Sequence, residues 1–201
     1  YLWDFGVVRQ LDKGFDVSIQ WDIPLLEGYD YEFLANKSHF AGTGRFLGLW
    51  NPELPHRLRE FAPDAILLTA YNYASIGYLL WRWRKDRAPF LFRGDSHRLV
   101  SRRGLLESVK REVIARVFRC FSAVLYVGSA NREYFALHRV PDERLFYSPH
   151  AVDNERFTAA RKTAEAEAVS WKRSLGIPAD HRVILFAGKF EEKKRPLDLL
   201  Q

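Results

Sequence analysis

Methionine is missing from all 201 residues and cysteine occurs once. A chain that opens on Tyr1 and holds no Met is expected to be a segment whose natural start lies upstream or has been removed. A single cysteine makes no internal disulfide, and Cys120 sits among Val117, Phe118 and Phe121, so it is expected as a small buried core residue. No apolar run approaches the roughly 18 residues of a membrane span, and none follows a basic start as in a secretory signal. A cytoplasmic location is the expectation. His39, His56, His138 and His181 are scattered without ligand spacing and no Ser-His-Asp order is visible, so neither a metal nor a bound cofactor is expected. Gly42-Thr43-Gly44 with Gly48 almost forms a dinucleotide fingerprint, but the third glycine is one residue late and no strand leads in, which leaves a flexible loop.

What is present is globular in composition, 47% hydrophobic and 28% charged, and the length suffices for a full α/β domain with a core. The net charge of +6 is unevenly placed. From Trp81 to Arg119 there are 12 Lys and Arg against 4 Asp and Glu, while the rest holds 19 against 21. Such a block suits an anionic lipid surface, nucleic acid or a phosphorylated substrate, or serves as a solvated face. Trp81 and Trp83 beside Arg82, Arg84 and Lys85, ahead of a helix with a cationic face, are the combination that peripheral contact with an anionic membrane through 81–119 requires.

From Asp64 onward short apolar runs alternate with stretches of helical spacing, the pattern of β-α units on a parallel sheet with helices on both faces. Strands are expected at 65–69, 90–92, 123–127 and 144–147. Helices are expected at 73–87, at about 105–118 with Leu106, Val109, Val113 and Val117 as its apolar stripe, and at 131–138 with Ser129 as cap. Asp16 to Trp21 and Tyr29 to Leu34 have short-strand character. Residues 154–176 are rich in Ala, Glu, Lys and Arg and read as one long solvated linker helix closed by Gly176 and Pro178. A further strand at 182–188 and a helix start at Pro196 follow, and this strand lacks partners. The expected division is an acceptor-side domain over 1–178 and the start of a second domain over 179–201.

Three segments carry candidate chemistry. Gly188, at the end of the last strand expected, lets a ligand approach the backbone, and Lys189 and Lys194 lie five residues apart across the loop, with Lys193 as a neighbour. Two cations ahead of a helix N-terminus suit a diphosphate, and spacing alone equally allows a solvated basic loop. The loop Arg93-Gly94-Asp95-Ser96-His97 follows a strand at the sheet edge where open α/β folds place ligands. There His97 is suited to binding a sugar hydroxyl or accepting its proton and Asp95 to hydrogen-bonding an acceptor hydroxyl, and the same residues equally fit a turn Asp and an exposed His. The third segment runs from Tyr126-Val127-Gly128-Ser129 through Ser148-Pro149-His150-Ala151-Val152-Asp153 to Phe157.

The strand-Gly-Lys-loop-Lys-x-Pro-Leu-Asp-Leu-Leu run at 183–200 resembles the motif that opens the donor domain of family 4 glycosyltransferases, two-domain enzymes of the GT-B type. The 126–157 segment resembles their last acceptor-domain unit and interdomain signature, with His150 and Ala151 standing where Asn and Gly are usual and Asp153 and Phe157 in place. The resemblance implies a retaining transfer of a sugar from a nucleotide-sugar, as substrate, to a glycan, lipid-linked or metabolite acceptor. It also implies that Lys189 and Lys194 contact the donor diphosphate and that a His in the 93–97 loop faces the donor sugar; the partnerless strand adds the expectation that this segment alone turns over nothing. The alternative is a non-enzymatic α/β module that binds nucleic acid or an anionic surface through the basic block. No helix-turn-helix, zinc or RNA-recognition motif accompanies that block, so nucleic acid is not the expected partner.

Overall fold

The computed structural model describes the backbone of residues 2–3, 9–12, 17–20, 26–42, 45–84, 88–97, 105–190 and 194–200, with side chains from residue 26 on apart from 105, 106 and 162. Thr43, Gly44, Lys85, Arg102, Arg103 and Lys193 thus lie outside the described residues, as do Asp16 and Trp21 at the ends of the first short strand expected. Two compact units make up the chain, one of residues 1–7 and 24–150, the other of 8–23 and 151–201.

The larger unit is α/β, with a Rossmann-like, all-parallel four-stranded sheet flanked by helices. Its order is β5 (Ile66–Leu68), β6 (Phe90–Arg93), β7 (Phe121–Tyr126) and β8 (Leu145–Tyr147), each pairing in parallel with the next. The short pair β1 (Leu2–Trp3) and β4 (Phe33–Leu34), also parallel, belongs to the same unit. Helices α2 (Ala74–Arg82), α3 (Leu105–Phe118) and α4 (Ser129–Leu137) join successive strands of the four-stranded sheet. α1 (Leu54–Phe61) precedes β5, with Pro55 in its first turn and Leu54 and Leu58 one turn apart on its buried face. Its Leu54, Leu58, Phe61 spacing was present in the sequence, but no helix was expected there.

Four phenylalanines explain why these elements pack. Phe92 of β6, Phe118 of α3, Phe121 of β7 and Phe135 of α4 are each at most 2% exposed. Phe92 lies 5.4, 5.1 and 6.0 Å by ring centroid from the other three in that order, and Phe118 lies 5.3 Å from Phe135. Such pairs contribute about 0.5–1.5 kcal/mol each beyond area burial. Alternation along the strands sends Ile66, Leu68, Phe90, Phe92 and Val124 into this core, while Leu67 and Phe146 on the other face stay 50% and 51% exposed.

Helix α3 has the expected bounds but a different inner face. Ile114, Ala115 and Phe118 are buried, whereas Val109 is 63% and Val113 52% exposed. One residue's step turns a helix by about 100°, and the larger Ile114 and Phe118 win the core over the valine stripe. Tryptophan behaviour is divided: Trp83 is buried and donates from its indole to the Ala88 carbonyl, while Trp81 is exposed. Cys120 is exposed as well, because the turn from α3 to β7 passes over the surface between inward-facing Phe118 and Phe121.

In the smaller unit β2 (Arg9–Asp12) and β3 (Val17–Gln20) form an antiparallel pair. The expected single helix is two, α5 (Asn154–Ala159) and α6 (Arg161–Ser174), separated by a turn at Ala160. α6 closes with Gly176 at φ +68, its amide on Arg173 O and that of Ile177 on Lys172 O, the bonding of a Schellman cap. The expected strand at 182–188 does not form. Val183, Ile184 and Leu185 are 56%, 79% and 67% exposed with no ladder partner among the described residues, since an apolar run becomes a strand only when a neighbouring edge satisfies its amides. Pro196–Leu200 is one short 3₁₀ turn.

Candidate functional site

Three strand ends converge at the carboxyl edge of the sheet. β6 and β7 are in register at Arg93 and Leu125, and Leu125 faces Phe146 of β8. The loops after them therefore meet: 94–97, 127–128 and 148–150. Burial of Phe92 under the other three rings fixes the end of β6. Gly94 follows because a Cβ there would lie 2.8 Å from the Phe92 ring, a contact that the packed core cannot relieve. Asn131, only 3% exposed in the first turn of α4, ties two loops together: its amide nitrogen donates to Ser96 O at 2.7 Å and its oxygen accepts from Val127 N at 3.0 Å. Ser148 N donates to Tyr126 O at 2.8 Å and holds the third.

Arg93 closes the edge. One terminal nitrogen of its guanidinium donates to Pro149 O at 3.1 Å and approaches Ser148 O at 3.5 Å and His150 Nδ1 at 3.4 Å. A guanidinium only donates, so Nδ1 of His150 accepts and the neutral ring carries its proton on Nε2. In sequence Arg93 opens the loop expected after the strand, whereas it is the last residue of β6. A lone cation ending the apolar strand Phe90-Leu91-Phe92 was the available signal.

Asp95, His97 and His150, three of the residues expected at the site, are thus on neighbouring loops of one edge, all exposed. Asp153 belongs to the smaller unit, where its carboxylate caps α5 by accepting from Arg156 N at 2.9 Å. Gly188, Lys189 and Lys194 are in that unit too, Gly188 and Lys194 exposed and Lys189 partly buried. Among the described residues no cluster of three or more His, Cys, Asp or Glu is arranged to hold a metal ion, and no helix is long and apolar enough to cross a membrane.

Two other features of the larger unit have polar groups in apolar surroundings. Burial lowers the pKa of His138, whose Nδ1 lies 2.8 Å from the Tyr134 carbonyl and so carries the proton of the neutral ring. Burial also raises the Tyr134 phenol, which shares a 3.0 Å hydrogen bond with the Tyr71 hydroxyl. Both are internal supports for α4. A groove of about 520 Å³ runs along β5 between Tyr31, Leu58, Phe61 and Leu67. It contains none of the expected site residues, and its Glu32 is paired with Arg57 at 2.8 Å.

Compared with protein-family models, curated proteins and solved structures, the chain matches none.

Proposed function

We propose that the chain is part of a retaining glycosyltransferase that moves a sugar from a nucleotide-sugar to a glycan, lipid or metabolite acceptor, the acceptor lying on the larger unit. The observation that carries this reading is the carboxyl edge of the parallel sheet, where Asp95, His97 and His150 offer an exposed acceptor, a base and an N–H donor on adjoining loops. In the reaction the bond from the sugar's anomeric carbon to the diphosphate breaks, the acceptor hydroxyl bonds to that carbon, and the hydroxyl proton leaves. Asp95 and His97 are assigned to orient the hydroxyl and take its proton. Lys189 and Lys194 are assigned to the negative charge gathering on the departing nucleoside diphosphate.

The test is nucleoside diphosphate release by the full-length gene product over a panel of nucleotide-sugars. Lys189→Ala and Lys194→Ala should each lower kcat/KM on the order of tenfold to a hundredfold, the worth of a charge-assisted phosphate contact. Activity within about twofold of wild type in both variants would end this reading.

The exposed face of α3 favours peripheral attachment to an anionic membrane as an addition. Val109, Val113 and Arg116 recur at helical spacing on it, with Lys110, Arg111 and Arg119 also exposed. Co-sedimentation with anionic vesicles should exceed that with neutral ones and drop when Lys110, Arg111 and Arg116 become Gln. Equal partition onto both would remove the membrane.

A further inference from the structure

The Arg93 guanidinium is held by one nitrogen and left unneutralised at the others. Its partners are the Pro149 and Ser148 carbonyls and His150 Nδ1, all reached by the same Nη2. Among the described residues no carboxylate lies within ion-pair distance, Asp95 two residues on included, so a positive charge stands half-buried at the carboxyl edge of the sheet. Guanidinium carries five N–H donors in a plane, and neither Nε nor Nη1 has a partner among the described residues. Both paired edges of the group include the engaged Nη2, so Nε and Nη1 each offer a separate charge-assisted hydrogen bond to an oxyanion. The carbonyl contacts anchor one nitrogen of the group before any ligand arrives, which lowers the ordering cost of binding. Alongside, the tautomer that Arg93 imposes leaves Nε2–H of the exposed His150 ring as a further donor.

From this arrangement we infer that Arg93, assisted by His150, binds a phosphate group carried by the acceptor. The inference rests on the glycosyltransferase reading only for the word acceptor; anion binding at Arg93 stands or falls by itself. With Asp95 exposed on the same loop, a phosphate anchored at Arg93 sets a neighbouring hydroxyl of that molecule against a carboxylate that attracts the hydroxyl and repels the phosphate. The site thus selects phosphorylated alcohols over free sugars.

Titration of the 15N-labelled chain with inorganic phosphate, at ionic strength matched with chloride, tests this directly. Saturable shifts are expected in the amides of 94–97, Ser148 and His150 with phosphate and not with chloride. Arg93→Gln should abolish them, Arg93→Lys should weaken binding on the order of tenfold by keeping charge without the Nε and Nη1 donors, and His150→Gln should weaken it less. Because Arg93 also supports residues 148–150, the Lys variant and an unchanged thermal midpoint separate lost binding from lost folding. Competition by glycerol 3-phosphate places the phosphate on a soluble acceptor; competition by phosphatidic acid vesicles alone places it on a lipid headgroup. Competition by neither, equal shifts with chloride, or unchanged binding in a folded Arg93→Gln variant would overturn the inference. Phosphate binding by a protein that releases no nucleoside diphosphate would leave this site standing and sink the transferase reading alone.

Discussion

Residues 121–126 and 182–188 are both short apolar runs bounded by polar turns, and only the first is a strand. In β7, Phe121 is 1% exposed and Val124 0%, with β6 on one side and β8 on the other. In the second segment Ile184 is 79% exposed and pairs with nothing described. Composition does not separate them; company does. A strand's amides and apolar side chains are satisfied by neighbours distant in sequence, and the larger unit supplies three strands, three connecting helices and a phenylalanine cluster to do so. In the smaller unit helices α5 and α6, whose hydrogen bonds are internal, form on an exposed surface without such help.

Removing one ring has the largest expected effect on the contrast between the two segments. Phe118→Ala should cost about 3–5 kcal/mol of the larger unit's stability in urea unfolding, through lost burial and the cavity left among Phe92, Phe121 and Phe135. Leu185→Ala should change stability by less than about 0.5 kcal/mol. Similar losses in both would show that the exposed run is packed after all. A smaller effect sharpens the same contrast through pH. Burial lowers the pKa of His138 below its usual 6.5, so protonation favours the unfolded chain. Its stabilising contribution is complete above the unfolded value and declines as pH falls from there toward the folded value. Arg111, Lys110 and Glu107 of α3 bear on the ring, the cations lowering and the carboxylate raising its pKa. Urea midpoints should therefore fall between about pH 7.5 and pH 5, and less so in His138→Asn. A wild-type slope retained in that variant would assign the dependence to other groups.

Much of the larger unit was legible because its signals are local and repeated. Alternation of apolar runs with helical stretches gave the four parallel strands within two residues, and α3 to the residue at both ends. Which face of α3 turns inward was not legible from period alone, since Val109-Val113 and Ile114-Phe118 both satisfy it and only the volume of the Phe92 pocket decides. Cys120 was misplaced for a related reason: an apolar neighbourhood in sequence says nothing about a turn that carries one residue outward. At the candidate site, Asp95 and His97 followed from their position after a strand. Arg93 did not, because its role depends on carbonyls 55 and 56 residues away. Asp153 was legible as a residue of interest, and the structure gives it a capping bond that any short helix would use.

Native-state hydrogen exchange compares the two segments in one experiment. The account predicts amides of β6 and β7 protected by at least about a thousandfold, through opening that requires the phenylalanine core to come apart, while amides of 183–187 exchange near the rate of an unstructured peptide. Protection of 183–187 on the scale of β7 would contradict it, since those amides would then have partners and the run would be a strand.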